Sequence, residues 1–141
     1  MTRLTGKMSL AAAVFLFLSI VFFVLSHAQP ADDVNRLNAE VSRLYKERRY
    51  QEAIPVAEKV LAIQERALGP DHPDTALALS NLAVLFSRTN DYGKAESLYR
   101  RSLAVYEKAL GPDHSDTAIT LNDLALLYSK MGNYSKAEPL L

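Results

Sequence analysis

A chain of 141 residues has room for one domain, and a 49% hydrophobic content with few Gly and Pro favours helices. Its 16 Lys and Arg balance 16 Asp and Glu without forming a basic patch that could track phosphates, so no nucleic-acid partner is expected. Cysteine is absent, which excludes a disulfide framework and a thiolate metal site.

Residues 1–28 stand apart from the rest. Arg3 and Lys7 precede an uncharged run from Met8 to Ser26, and Ser26-His27-Ala28 then leads into the polar segment QPADD. A charged start, an apolar middle and a small-residue exit read as a secretory signal, cleaved after Ala28. The rival is an uncleaved anchor, because residues 8–25 as a helix would cover about 27 Å, close to the hydrocarbon core. Both readings export the remainder, to a periplasmic or secreted location or to the outer side of a membrane touched only by 8–25. Without 1–28 the chain keeps 14 basic and 16 acidic side chains.

From Ala31 the pattern becomes helical. Asp32 or Asp33 can cap a helix whose apolar positions Val34, Leu37, Val41 and Leu44 recur at three- and four-residue steps. Lys46-Glu47-Arg48-Arg49 forms its solvated end. A second pattern starts after Tyr50, with Ala53, Ile54, Ala57, Val60 and Leu61, and Pro55 near its first turn. Gly69-Pro70 stops that helix, Gly by taking a left-handed conformation and Pro by refusing to continue the spiral. Asp71, His72 and Pro73 restart the chain with a capping side chain and a ring preset for the first helical residue. Residues 74–88 then carry a stripe of Leu77, Leu79, Leu82, Ala83, Leu85 and Phe86. Thr89-Asn90-Asp91 makes a turn, and Tyr92 to Leu110 forms the next helix.

The text then repeats. LGPDHPDTA at 68–76 returns as LGPDHSDTA at 110–118, and 18 of the 32 positions in 68–99 recur 42 residues later. A fixed period of this length marks a repeat architecture. The next unit restarts at Asp113, with a stripe of Ile119, Leu121, Leu124, Ala125, Leu127 and Tyr128. Aligned backwards, Tyr50 falls on Tyr92 and Leu37 on Leu79, so 37–78 is a diverged copy of 79–120. Each unit is a helical hairpin, and Ala83 and Ala95 are small where its two helices would approach. Tyr92, Phe86 and Tyr99 are large enough to fill the space between hairpins.

Leu79-x-x-Leu82-Ala83-x-x-Phe86 followed by Tyr92-x-x-Ala95-x-x-x-Tyr99-x-x-Ser102 resembles the tetratricopeptide repeat, and Leu121, Leu124, Ala125, Tyr128, Tyr134 and Ala137 match in the next unit. The 42-residue period looks like the longer variant of kinesin light chains and many bacterial repeat proteins, here of an exported bacterial type. The resemblance implies an all-α fold, an α-α superhelix of stacked hairpins over 29–141. The first unit departs from the pattern: Glu40 stands where Leu82 and Leu124 stand, as suits a capping unit with one face in water.

The third unit, 121–141, is truncated, with an eight-residue second helix from Tyr134 to Leu141. Leu124, Leu127, Leu140 and Leu141 are expected to present an open apolar face, through which copies could self-associate. A fragment of a longer gene is the plainer expectation.

No active site emerges. His72 and His114 occupy equivalent places in adjacent units, too far apart to share a metal ion, and are read as linker caps. Ser80, Ser87 and Ser102 have no histidine placed to activate them, and Gly69 and Gly111 form no phosphate loop. No cofactor is expected. In a solenoid of this type the first helix of each hairpin lines a groove, which makes Ser80, Asn81, Val84, Ser87 and Arg88, then Asn122, Asp123, Leu126, Ser129 and Lys130, candidate contacts. Asn81, Val84, Arg88, Asn122, Asp123 and Lys130 are the primary set, for which related repeats imply contacts to peptide backbone or carboxylates. The expected function is a non-catalytic interaction scaffold for a peptide or protein segment. The alternatives are the recognition arm of a longer enzyme, such as a caspase-like peptidase fusion, and a membrane-tethered spacer.

Overall fold

The computed structural model describes residues 31–140. Contacts part the chain into two units between Asp33 and Val34. The repeats lie in the second unit, and the signal or anchor expected over 1–28 falls outside the described residues. No helix among the described residues is long and apolar enough to cross a membrane.

The described elements are α1 (31–46), α2 (Tyr50–Leu68), α3 (Pro73–Arg88), α4 (Tyr92–Leu110), α5 (Ser115–Lys130) and α6 (Tyr134–Ala137), the last running into a 3-10 turn, Glu138–Leu140. They form three hairpins, α1–α2, α3–α4 and α5–α6. Asp32 and Asp33 lie inside α1 rather than capping it, because the helix already includes Ala31. The expected eight-residue final helix is four α-helical residues closed by the 3-10 turn.

The turn within each hairpin is built identically from different residues. Arg48, Asn90 and Gly132, spaced by the repeat period, all have positive φ, at 59°, 64° and 73°. The next residue's N–H then reaches the carbonyl five positions back: Arg49 to Leu44 (2.9 Å), Asp91 to Phe86 (2.9 Å) and Asn133 to Tyr128 (2.8 Å). This bond satisfies a carbonyl that the helix end would leave orphaned. Asn takes positive φ readily, whereas Arg does so against a steric penalty.

Between hairpins the glycines act as expected, with a sharper geometry. Gly69 has φ 92° and ψ 165°, and Gly111 has φ 94° and ψ 165°, a region open essentially to glycine alone and more extended than a left-handed helical cap. Each glycine carbonyl then accepts a hydrogen bond from a fully buried threonine hydroxyl six residues on, Thr75 to Gly69 and Thr117 to Gly111, both at 2.8 Å. The caps fall to histidine: His72 Nδ1 accepts the Asp74 N–H at 3.1 Å, and His114 Nδ1 accepts that of Asp116 at 3.2 Å. The restart expected at Asp113 is therefore made by His114, and Asp71 is engaged elsewhere, by the Lys108 ammonium from α4.

The main core joins all three hairpins through Leu44, Ala53, Ala57, Leu82, Ala83, Leu85, Phe86, Ala95, Tyr99, Leu124, Leu127, Tyr128 and Ala137. Alanine occupies the close approaches and the aromatic rings fill the gaps, as the sequence implied. Within the second hairpin Ser102 donates to the Ala76 carbonyl at 2.7 Å and pairs with Ser80 at 2.7 Å, tying α4 to α3. Between the second and third, the Tyr128 hydroxyl donates to Glu96 Oε1 and accepts from Arg100, each at 2.8 Å. The Tyr128 hydrogen bond, with Arg100 and Lys136 nearby, holds the Glu96 carboxyl below the usual carboxylate range.

Two expectations about apolar surface are corrected. Leu77 and Ile119, read as part of the packing stripes, are 51% and 59% exposed. Helical periodicity places 77 with 81, 84 and 88 on one face, away from the buried 75, 76, 78 and 79. Leu124 and Leu127, expected on an open terminal face, are 3% and 1% exposed, because they pack inward with Tyr128 against the second hairpin.

Candidate binding groove

The face of α3 that carries Leu77, Asn81, Val84 and Arg88 points away from α4, and its neighbours are the first helices of the hairpins before and after. Contacts spanning 43 residues mark both junctions. Arg88 donates to the Tyr45 hydroxyl at 2.8 and 3.1 Å, with its guanidinium 5.6 Å from the ring centroid, linking α3 to α1. Lys130 donates to the Ser87 hydroxyl at 3.3 Å, linking α5 to α3. Each cation at the end of a first helix leans back toward the preceding hairpin.

Between these helices run two clefts. The α3–α5 cleft, of about 290 Å³, is lined by Val84, Ser87, Arg88, Tyr99, Asp123, Leu126, Leu127 and Lys130. Four residues of the expected primary set thus converge from two hairpins onto one depression. The α1–α3 cleft, of about 350 Å³, takes Asn81 and Val84 together with Asn38, Val41, Tyr45 and Lys46. Asn122 is exposed on α5 and lines neither cleft. At the 42-residue offset Asn81 corresponds to Asp123, whereas Asn122 corresponds to Ser80; one residue is about 100° around a helix.

Asp123 is the electrostatic anomaly of the groove. It is half-buried and makes no hydrogen bond or ion pair with any described residue. Burial pushes its carboxyl above the ordinary range, and the Lys130 charge only partly offsets the shift. Behind it, burial and then the Asp123 charge raise the Tyr99 phenol well beyond its ordinary value. The cleft therefore combines an unused acceptor, two cations and an apolar wall of Val84 and Leu126. These groups are complementary to N–H donors and carboxylates.

Sequence reasoning passed over Lys46 as part of a solvated helix end and Tyr45 altogether. The signal was present: Lys46 precedes Arg88 by one period, and Arg88 precedes Lys130 by another.

The family model for the tetratricopeptide repeat matches residues 42–108 and again 91–141. The chain belongs to this family. Tetratricopeptide repeats are generally scaffolds for protein–protein interaction, typically without catalysis of their own. Nephrocystin-3 of Xenopus laevis is 39% identical over 50 residues, which make up 36% of this chain and 4% of that protein, and nephrocystin-3 of Xenopus tropicalis gives the same figures. Among solved structures, BtubC (BKLC) from P. vanneervenii superposes with a TM-score of 0.73 at 20% identity, over 79% of this chain and 44% of that one. A putative kinesin light chain with nearly identical tetratricopeptide-like repeats, from Podosopora anserina, gives 0.71 at 24% identity, over 79% and 53%. At these identities the likeness to the solved structures establishes the fold, a kinesin-light-chain-like stack of helical hairpins. The chain spans about half the length of those structures and a small part of the nephrocystins.

Proposed function

We propose that these tetratricopeptide repeats form a non-catalytic scaffold that binds a peptide or protein segment along α1, α3 and α5. The observation that carries this reading is the meeting of Val84, Arg88, Asp123 and Lys130 in one cleft, with a carboxylate that no described residue satisfies. Burial disfavours the charged form of Asp123, and a ligand N–H donor to that carboxylate would offset the cost. Val84→Glu and Leu126→Glu would fill the apolar wall with charge and abolish partner binding while leaving the helical circular dichroism signal intact. Asn81→Ala and Asn122→Ala separate the two asparagines, the first lining a cleft and the second lying outside both. A partner retained with unchanged affinity by both glutamate variants would overturn the reading.

The N-terminal sequence supports export of this scaffold, since Arg3 and Lys7 precede the uncharged run from Met8 to Ser26. Mature protein beginning at Gln29 identifies a cleaved signal; mature protein beginning at Met1 identifies an anchor. A second reading, the recognition arm of a longer protein such as an enzyme, draws on the nephrocystins, where the matching segment is 4% of the whole.

A further inference from the structure

At the 42-residue offset the groove is banded. Leu77 and Ile119 form one rung, Asn81 and Asp123 the next, Val84 and Leu126 the third, and Arg88 and Lys130 the last. The α1–α3 and α3–α5 clefts are built from matching positions, yet they part at two of them. Asn81 lines the first cleft where Asp123 lines the second, and the position that Tyr99 holds in the second belongs to Ala57 one period earlier. Tyr99 comes from α4, the helix beneath the groove. It is 4% exposed, and its hydroxyl makes no hydrogen bond with any described residue. Among the described residues only Gln64 Oε1 is both orphaned and sealed from solvent, so the Tyr99 hydroxyl keeps an opening, onto the cleft it lines. Asp123 has an equally unused carboxylate there, close enough for its charge to act on the phenol. Buried polar groups are nearly always hydrogen-bonded, so two idle ones in one cleft of about 290 Å³ point to a ligand.

We infer that the α3–α5 cleft is a carboxamide subsite, where the side-chain amide of an Asn or Gln accepts a hydrogen bond from the Tyr99 hydroxyl and donates one to the Asp123 carboxylate. The inference rests on the peptide-groove reading above and adds the chemical class of the side chain read at one point of the groove. A primary carboxamide carries its C=O and NH₂ on one carbon, so an acceptor and a donor leave it side by side. A trans backbone amide points its C=O and N–H in opposite directions and does not present both to one depression. A carboxylate at this point lacks the donor and meets the Asp123 charge. An ammonium lacks the acceptor and meets Arg88 and Lys130. Both charged alternatives are thus disfavoured, and the neutral dipole is selected. Val84, Leu126 and Leu127 supply apolar surface for its methylene stem. The α1–α3 cleft, with Asn81 and Ala57 at the matching positions, has neither the hydroxyl nor the carboxylate.

The test titrates the full chain with the N-acetyl N-methylamides of glutamine and asparagine, whose only primary amide is the side chain, and with those of glutamate, lysine and norleucine. Backbone amide shifts are followed by NMR. One of the two carboxamides is expected to give saturable shifts at Val84, Asp123 and Leu126 and to bind about tenfold more tightly than the last three compounds; which of the two leads assigns the stem length. The preference is expected to be lost in Tyr99→Phe and in Asp123→Leu, with thermal melts confirming that both variants fold. Equal binding of carboxamide and norleucine compounds, shifts that fail to saturate, or a preference that survives Tyr99→Phe would overturn the inference. If a partner is lost in Val84→Glu and Leu126→Glu while neither carboxamide binds, the groove reading stands and the subsite falls. If a carboxamide binds as expected while those glutamate variants leave partner binding unchanged, the subsite stands and the groove reading falls.

Discussion

The linkers and the groove are both repeated at 42 residues, yet they repeat differently. LGPDHPDTA and LGPDHSDTA differ at a single position, Pro73 against Ser115, whereas the four groove rungs of α3 and α5 share no identical residue. The linker residues are consumed internally: the threonine hydroxyl closes on the glycine carbonyl, and the histidine nitrogen closes on a helix N–H. The groove residues keep capacity in reserve, most plainly Asp123. Identity between the two linkers thus coincides with the bonds of their Gly, Thr and His residues, and divergence with the face shared by Leu77, Asn81, Val84 and Arg88 on α3.

The sharpest way to break this contrast is to remove what lies under both regions. Leu82→Asp would put a charge in the main core, where the leucine is 3% exposed, and should cost about 3–5 kcal/mol. Cooperative helix melting by circular dichroism should be lost; an unchanged melt would refute the stacked-hairpin core. Next in size is the linker. Thr75→Val or Thr117→Val removes one buried hydroxyl and leaves a glycine carbonyl wanting, worth about 1–2 kcal/mol each in the urea midpoint. Partner affinity should not change, because neither threonine faces the groove.

The groove should respond with the opposite sign. Because the folded-state carboxyl of Asp123 is raised above its unfolded value, its contribution is most favourable below the ordinary carboxylate range and is lost as pH rises through the folded value. Asp123→Asn should therefore stabilise the protein at pH 7, by up to about 1 kcal/mol. Thermal melts should show that advantage fading at acid pH, while partner binding weakens. A stabilised variant with full affinity would reduce Asp123 to a buried accident. The smallest effect belongs to the hairpin turns: Arg48→Gly relieves a positive φ and should stabilise by about 0.5–1 kcal/mol. Asn90→Gly should do less, since Asn already accepts that conformation.

Much of the frame was legible because its determinants are local. The Gly-Pro stops, the period and the alanine positions each report a short-range constraint, and α2 to α5 begin and end close to where these marks stand. What escaped depends on neighbours in three dimensions. Leu77 is apolar and periodic enough to pass for core, but which of two adjoining helical faces is buried was decided by α4 and the linker. Leu124 and Leu127 read as open when only a short second helix is set against them, whereas they pack into the core shared with the hairpin before them. Of the groove, Val84, Arg88, Asp123 and Lys130 were found from the repeat motif, while Lys46 was lost to its resemblance to an ordinary helix end. The choice of His72 over Asp71 as cap also lay beyond sequence, since Lys108, 37 residues away, takes the aspartate.

The hydroxyl of Thr75 reaches a carbonyl only six residues upstream, and the positive-φ turn at Asn90 closes on its own helix. The glycine stop and the positive-φ turn of a unit are therefore written in that unit's own letters. A genetic event that copies 42 codons in frame would deliver a hairpin already equipped to begin, fold back and hand over to the next. Such an array can lengthen by duplication without redesign at its joints, and each added copy brings one more rung for selection to rewrite.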